Sequence, residues 1–375
     1  MAKYQALSEG EPAPWFRART SANPSYAFDT VGGRYVVLCF LGSASLPPSQ
    51  RALAAIASNR TLFDDDIVSL FILSNDTEDE KQGRLKDALP GIRVVWDGDA
   101  AVAKKYGAIN LDAGEQDAQA QLRPMWMVLD PTLRILHMRP MAGEGQGQSI
   151  FDYLRNLPPP ARYAGFEVQA PVLILPNVFE ADFCRKLISL YDEHGGEESG
   201  FMREIDGKTV KIHDHNHKRR KDHEIKDAAI IKDAQTRILR RVVPEIMKVH
   251  QFHVTRMERY IVCCYSAEDK GHFNSHRDNT TAGTAHRRFA VSINLNADFD
   301  GGEVSFPEYG PRSFKAPPGG AVVFSCSLLH RVSQVTRGRR YAFLPFLYDD
   351  AAAKVREANN KFLGEGVGAY SAQRS

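Results

Sequence analysis

Residues 271–278 read GHFNSHRD, and this stretch decides how the second half of the chain is interpreted. His276 and Asp278 lie two positions apart, so on an extended segment both side chains leave the same face and can bind one metal ion. A third ligand must come from elsewhere in the chain. His330 is the candidate, because it follows the apolar segment 321–325 and a turn. The pattern therefore predicts a metal site with two imidazoles and one carboxylate.

This ligand set indicates a class of metal chemistry. Two imidazoles and one carboxylate on one face of an octahedron are the ligands of non-haem Fe(II) oxygenases. Four more blocks accompany the first stretch in order, namely RFA at 288–290, GGEVSFP at 301–307, PPGGAVVF at 317–324 and HRVSQVTRGRR at 330–340. With these blocks, residues 171–348 resemble the Fe(II)/2-oxoglutarate-dependent dioxygenases of the prolyl-4-hydroxylase-like branch. The resemblance implies a double-stranded β-helix, or jelly-roll, domain with supporting helices.

The resemblance also implies roles for single residues. His276, Asp278 and His330 would bind Fe(II). Arg340 would bind the C5 carboxylate of 2-oxoglutarate with two charge-assisted hydrogen bonds, worth about 1.5–3 kcal/mol each. Tyr265 occupies the position of an aromatic residue that contacts this co-substrate, although its spacing to His276 is slightly longer than in the family pattern.

The implied reaction is hydroxylation, with Fe(II) as cofactor, 2-oxoglutarate and O2 as co-substrates, and release of succinate and CO2. Ascorbate is a candidate reductant. Halogenating relatives lack the carboxylate that Asp278 supplies, so its presence favours hydroxylation. The acceptor is expected to be a protein or peptidyl side chain such as proline, or a small metabolite. The alternative is a non-catalytic binding or scaffolding protein with a vestigial oxygenase site.

The polar segment 213–227, HDHNHKRRKDHEIKD, allows two further interpretations. Alternating histidines on one strand face can chelate a second metal, but neighbouring histidines on a polar loop are more often solvated. The three histidines are His213, His215 and His217. The basic cluster that follows lacks the interleaved aromatic residues of a nucleic-acid site, so nucleic acid is an unfavoured partner. Arg219, Arg220 and Arg288 are instead predicted substrate contacts.

The first half of the chain alternates between apolar strands and helices. Predicted strands are 34–41, 67–74, 92–97, 124–130 and 134–138, and predicted helices are 49–59, 100–106 and 148–157. The first three strands are nearly continuous apolar runs, which is typical of strands buried on both faces. The pattern predicts an α/β layer that ends in a β-hairpin.

Within this half, the strand 36–41 is followed by GSASLPPS at 42–49, and Arg123 precedes the strand 124–130. These features resemble a peroxiredoxin of the thioredoxin-like fold over residues 6–157. The position of the peroxidatic cysteine holds Ser49, which cannot form a thiolate at neutral pH. The domain is therefore expected to be redox-inactive and to serve in recognition, scaffolding or homodimer formation.

The chain is thus expected to combine an α/β domain with a mainly β domain. The predicted ranges are 1–157 for the thioredoxin-fold domain, 158–172 for a proline-rich linker, 173–350 for the jelly roll and 351–375 for a C-terminal helix and tail. The 48 basic and 46 acidic residues give a net charge of +2, which provides no general attraction to nucleic acid or membranes. Five cysteines without CxxC spacing and no long apolar run favour a cytoplasmic protein with no membrane partner.

Overall fold

The computed structural model describes residues 3–114, 122–141 and 146–372. The chain divides into two compact units, one formed by residues 1–170 with 307–311 and the other by residues 171–306 with 312–375. The last three residues of the predicted C-terminal tail lie outside the described residues. Among the helices of the described part, none has both the length and the apolar composition needed to cross a bilayer.

The first unit contains seven strands and four α-helices in its described part. They are β1 (Arg17–Thr20), β2 (Tyr26–Ala27), β3 (Tyr35–Gly42), α1 (Pro47–Ser58), β4 (Val68–Ser74), α2 (Thr77–Lys81), β5 (Ile92–Trp96), α3 (Ala101–Lys105), β6 (Met125–Leu129), β7 (Ile135–Pro140) and α4 (Gln146–Arg155). Short 3-10 turns cover Phe28–Val31, Arg60–Leu62, Pro160–Arg162 and Pro307–Tyr309.

These strands form one sheet in the order β2-β1-β5-β4-β3-β6-β7. Strands β3, β4 and β5 run parallel, and β6 and β7 form the predicted antiparallel hairpin. Val36, Leu38 and Phe40 of β3 pack in one core with α3, whereas Val37 and Cys39 pack in a second core with α1 and α4. Helices therefore cover both faces of a mixed sheet, and the predicted thioredoxin-like fold is confirmed.

The second unit is mainly β-structure in its described part. Its elements are β8 (Leu173–Leu175), α5 (Ala181–His194), β9 (Glu197–Glu198), β10 (Phe201–Ile205), β11 (Lys208–Ile212), β12 (Lys218–Arg219), β13 (Lys221–Glu224), α6 (Ala228–Arg241), α7 (Val243–His250), β14 (Arg256–Glu258), β15 (Ile261–Ser266), β16 (His272–His276), β17 (Phe289–Asn294), β18 (Phe299–Asp300), β19 (Val304–Ser305), β20 (Ser313–Phe314), β21 (Ala321–Ser325), β22 (His330–Val332), β23 (Arg337–Phe343), β24 (Phe346–Tyr348) and α8 (Asp350–Ala358). A 3-10 turn, Asn359–Phe362, follows α8.

Two antiparallel sheets dominate this unit. The larger has the path β14-β24-β17-β23-β15-β13-β9, joined by β18, β21 and β8, and the smaller has the order β12-β16-β22-β19-β20. Helices α5, α6 and α7 pack their apolar side chains against one face of the larger sheet, where Val291 and Phe343 lie. Because side chains alternate along a strand, Ser292 and Arg340 face the other way. This double-sheet arrangement confirms the predicted jelly roll.

The helical region after Asp227 is divided in two. The chain forms α6 and α7 with a break at Val242. Pro244 explains the break, because proline has no amide hydrogen for an intrahelical bond and is tolerated in the first turn of a new helix. The Asp227 side chain begins α6 by accepting hydrogen bonds from the amides of Ala229 and Ile230.

Candidate active site

The three predicted metal ligands lie together in the smaller sheet of the second unit. His276 on β16 and His330 on β22 are directly opposite each other in an antiparallel pair, and Asp278 follows β16. Their ligand atoms all lie within 4.8 Å of one another. The Nε2 atoms of His276 and His330 lie 3.6 Å and 3.4 Å from the carboxylate oxygens of Asp278. In the described part of the chain, this is the cluster of three side chains that can hold a metal ion.

Backbone hydrogen bonds orient both imidazoles. Nδ1 of His276 lies 2.7 Å from the carbonyl oxygen of Asn274, and Nδ1 of His330 lies 3.0 Å from that of Leu328. A carbonyl oxygen can only accept, so each Nδ1 carries the proton and each Nε2 presents a lone pair. Such a partner on the second ring nitrogen is typical of metal-binding histidines.

The protonation states also suit a metal. Burial and, to a smaller extent, the neighbouring His330 lower the pKa of His276 to about 4. Burial alone would raise the pKa of Asp278, but attraction to His330 and His276 outweighs it, so the pKa lies below its usual value. At neutral pH the site thus presents a neutral His276 and an ionised Asp278, which are the forms that bind a cation.

Arg340, the predicted co-substrate residue, is a buried cation on β23 and is only 2% exposed. Its Nε donates to Oδ1 of Asn294 at 2.9 Å, and its Nη2 donates to Oγ of Ser292 at 2.7 Å. Both acceptors are neutral, and among the residues that the structure describes no carboxylate forms an ion pair with Arg340. Burial lowers the pKa of this guanidinium. An uncompensated buried cation is costly, which makes the position suitable for an anionic ligand.

The glycine pair 301–302 makes room for this arginine. Gly302 has a φ of +67°, and a Cβ atom at this position would lie 2.9 Å from Cδ of Arg340 and 3.0 Å from Cγ2 of Val335. Gly301 has a φ of +73°, and a Cβ atom there would collide with the carbonyl oxygen of Gln334. Both positions therefore need glycine, for backbone conformation and for space.

Tyr265, the predicted second co-substrate residue, lies next to Arg340. The two residues are opposite each other in the β15–β23 pair, and the Arg340 Cζ atom lies 5.3 Å from the centroid of the Tyr265 ring. The extra spacing between Tyr265 and His276 is absorbed by a turn, in which the amide of Gly271 donates to the carbonyl oxygen of Ser266. Burial raises the pKa of the Tyr265 hydroxyl, so it is a neutral group at pH 7.

The predicted substrate contacts occupy three different environments. Arg220 is buried and pairs with Asp222. Arg219 is half-buried on β12 opposite His272. Arg288 donates from Nη1 to the carbonyl oxygen of Ala285 at 2.8 Å.

His213, His215 and His217, the three alternating histidines, do not form a metal cluster with one another among the described residues. Nε2 of His215 lies 3.1 Å from a carboxylate oxygen of Glu198. The ring of His217 packs against Phe201 and Phe273, and burial lowers its pKa.

Ser292 and Asn294, which hold Arg340, were not predicted from the sequence. A signal was present, because these are the two polar side chains of the otherwise apolar strand β17, FAVSIN. Two polar residues at alternate positions of a buried strand indicate one polar face. Phe273 was also missed as a contact of the site, although its ring stacks on His276 with centroids 3.5 Å apart.

In the first unit, Ser49 is 0% exposed and lies in the first turn of α1. Its Oγ donates to the carbonyl oxygen of Leu41 at 3.0 Å. In the peroxiredoxin resemblance, Arg123 corresponds to the arginine that activates the peroxidatic thiol. Its Cζ atom instead lies 3.4 Å from the centroid of the Tyr4 ring. Cys39 is fully buried in β3, and burial raises its pKa well above the usual value.

Family models match one region in each half of the chain. Residues 255–348 match the 2OG-Fe(II) oxygenase superfamily, and residues 10–138 match the AhpC/TSA family. A PKHD-type hydroxylase of Synechococcus sp. (strain JA-2-3B'a(2-13)) is 32% identical over 89 residues, which are 22% of this chain and 39% of that protein. The chain spans about two fifths of the length of the curated relatives that it matches.

Solved structures resemble each half separately. The viral collagen prolyl hydroxylase from Paramecium Bursaria Chlorella virus-1 aligns with 48% of this chain and 97% of its own, at a TM-score of 0.36 and 14% identity. A peroxiredoxin-like protein from Aquifex aeolicus aligns with 41% of this chain and 90% of its own, at a TM-score of 0.33 and 13% identity. The chain is thus similar to the AhpC/TSA family over residues 10–138 and to the 2OG-Fe(II) oxygenase superfamily over residues 255–348.

Proposed function

We propose that the second unit is an Fe(II)- and 2-oxoglutarate-dependent hydroxylase. The observation that carries this proposal is the combination of a metal-suited triad with a buried, uncompensated arginine in the same unit. A vestigial site would have no reason to keep Arg340 buried beside neutral acceptors, because the cost of desolvating its charge is offset only by an anion. The alternative of a non-catalytic scaffold is therefore disfavoured.

Each residue has a role that follows from its contacts. His276, Asp278 and His330 would hold Fe(II) through two Nε2 atoms and the carboxylate. Bound iron supplies dioxygen activation coupled to the decarboxylation of 2-oxoglutarate. Arg340 would bind the C5 carboxylate of 2-oxoglutarate with the guanidinium hydrogens that Asn294 and Ser292 leave free.

We propose a protein or peptidyl side chain, with proline first, as the acceptor, and a small metabolite as the second candidate. The support is the resemblance to the prolyl-4-hydroxylase-like branch together with the match to curated hydroxylases. An assay of succinate release can rank proline-containing peptides against small carboxylic acids and amino acids. A cytoplasmic location fits the five cysteines, all free and buried.

For the first unit we propose a redox-inactive role in recognition, scaffolding or self-association. The support is chemical, because Ser49 replaces the reactive thiol and Cys39 is buried with a raised pKa. A buried thiol that stays protonated is a poor nucleophile. Purified protein should therefore not consume peroxide in a Cys39-dependent reaction.

The decisive experiment is an anaerobic titration of the full chain with Fe(II) and 2-oxoglutarate. We expect the weak visible charge-transfer band of the ternary complex, and succinate formation once oxygen is admitted. His276→Ala should abolish both signals, whereas Ser49→Ala should leave both unchanged. Absence of the band in the wild type, with no heat of 2-oxoglutarate binding in calorimetry, would refute the proposal. An equal loss in both variants would refute the division of roles between the units.

A further inference from the structure

A second buried guanidinium lies in the same cross-strand row as Tyr265 and Arg340. In the register of the larger sheet, Lys221 pairs with Cys264 and Tyr265 pairs with Arg340. Arg220 therefore continues the row on the other side of Tyr265. The distances agree, because the Arg220 and Arg340 Cζ atoms lie 5.6 Å and 5.3 Å from the centroid of the Tyr265 ring. The tyrosine thus lies between two arginines.

Arg220 uses its donors on three partners. Nε and Nη2 bind the two carboxylate oxygens of Asp222 at 2.6 Å and 2.8 Å, and Nη2 also donates to Oγ of Ser199 at 3.1 Å. Nη1 donates to the hydroxyl oxygen of Tyr265 at 3.2 Å. Arg220 is 5% exposed, so these contacts are shielded from water. The side chain is therefore fixed by three separate groups.

Positive charge exceeds negative charge around this row. Asp222 is shared by Arg220 and Arg259, whose Nη2 lies 3.3 Å from it. Lys218 is buried as well, and its Nζ donates to Ser199 and to the carbonyl oxygen of Gly200. Burial lowers the pKa of Lys218 well below its usual value, so the excess charge rests on Arg220, Arg259 and Arg340 against the one carboxylate of Asp222. In the described part of the chain, neither Lys218 nor Arg340 forms an ion pair. The excess positive charge favours an anionic occupant.

The contact with Arg220 determines how the Tyr265 hydroxyl can be used. A phenolic hydroxyl has one hydrogen to donate, and its oxygen accepts. Because an arginine can only donate, Tyr265 is the acceptor in this contact, and its own hydrogen points elsewhere. Among the hydrogen bonds of the described residues, none uses that hydrogen. It is available to an anion beside Arg340.

We propose that Arg220 is a positioning residue for the co-substrate, which holds the Tyr265 hydroxyl as a donor to the carboxylate that Arg340 binds. The inference rests on the proposed function and deepens it, because it assigns an upstream residue to the 2-oxoglutarate pocket. It also replaces the expectation that Arg220 contacts the substrate. Arg220 itself does not touch the co-substrate.

The test compares Arg220→Lys, Tyr265→Phe and the double variant in the full chain. Lysine keeps a positive charge beside Asp222 but lacks the planar guanidinium, whose Nη1 also donates to Tyr265. Each single variant should raise the KM for 2-oxoglutarate about tenfold, as expected for the loss of one buried hydrogen bond to an anion, with kcat changed less than about threefold. The double variant should be no worse than Tyr265→Phe alone.

Lys221→Met is the matched control, because Lys221 directly follows Arg220 as the first residue of β13 and forms a solvent-exposed pair with Asp269 at 3.3 Å. It should leave the KM for 2-oxoglutarate unchanged. The inference is overturned if Arg220→Lys leaves the KM unchanged, if the two single effects multiply in the double variant, or if the control shifts the KM equally. Failure of the proposed function differs, because the wild type itself would then lack the Fe(II) and 2-oxoglutarate band.

Discussion

Removal of the Arg340 guanidinium should weaken 2-oxoglutarate binding without affecting the metal. A bidentate contact between Arg340 and a carboxylate supplies two charge-assisted hydrogen bonds of about 1.5–3 kcal/mol each, or about 3–6 kcal/mol together. At about 1.4 kcal/mol for each factor of ten, Arg340→Met should raise the Kd of 2-oxoglutarate roughly 10²- to 10⁴-fold. Arg340→Lys keeps a point charge but not the fork, so its loss should be intermediate.

The assay is calorimetric titration of 2-oxoglutarate into the metal-loaded protein under anaerobic conditions, with metal affinity measured separately. Metal affinity should be unchanged, because the hydrogen bonds of Arg340 go to Ser292 and Asn294 and not to the metal ligands. Arg339→Met is the matched control, since the adjacent Arg339 side chain is 55% exposed. A Kd for Arg340→Met within threefold of the wild type, or an equal loss in the control, would refute the reasoning.

Two other predictions test the backbone near Arg340 and a buried acid of the first unit. Gly302→Ala should raise the KM for 2-oxoglutarate, because the added Cβ atom would crowd Cδ of Arg340. Gly207→Ala is the control, since Gly207 has a similar φ of +70° but no atom lies within 4 Å of the added Cβ, so this variant should lose stability without a change in KM. If both variants shift the KM alike, crowding is not the cause. Burial raises the pKa of Asp97 from 3.8 to about 6. The folded state then binds more protons between these values, so stability should be lost as pH rises from about 4 to 6, by about 3 kcal/mol. Asp97→Asn should remove this pH-dependent loss of stability. The measurement is denaturant unfolding followed by tryptophan fluorescence, which reports on the first unit because all three tryptophans, Trp15, Trp96 and Trp126, lie there. Parallel plots of unfolding free energy against pH for wild type and variant would contradict the assignment of the loss to Asp97.

Local sequence patterns were sufficient to predict the strands that are buried along their whole length. Strands β3 and β4 are buried at every position, and their apolar runs predicted them within one residue at each end. The spacing of His276 and Asp278 predicted a shared face for a similar reason, because a period of two is a local property of extended chain. No local rule predicts that His276 pairs with His330, because the two residues are 54 positions apart in the sequence. That part of the prediction depended on the family pattern.

Arg220 shows what local patterns cannot supply. In the sequence, KRRKD at 218–222 is a basic cluster from which Arg219 and Arg220 were predicted as substrate contacts, and the strands in this region are only two and four residues long. Its burial follows from the pairing of β13 with β15, which brings Arg220 beside Tyr265. Such a pairing is a long-range contact, and its partner lies 45 residues away. The charge pattern alone does not indicate that Arg220 is buried beside Tyr265.

Asp79 in the first unit and Arg340 in the second are both buried, but only Asp79 has a counter-ion among the described residues. In the first unit Asp79 is fully buried, and its carboxylate accepts hydrogen bonds from the amide of Ala44 and from Ser74, and pairs with Arg84 at 3.1 Å. The charge of Asp79 is therefore neutralised within the protein, by a residue that follows α2. Arg340 in the second unit is buried to a similar degree and has only neutral acceptors. A buried charge without a counter-ion is retained at the expense of stability and favours a ligand of opposite charge. By this criterion Arg340, and not Asp79, is the buried charge that calls for a ligand from outside the protein.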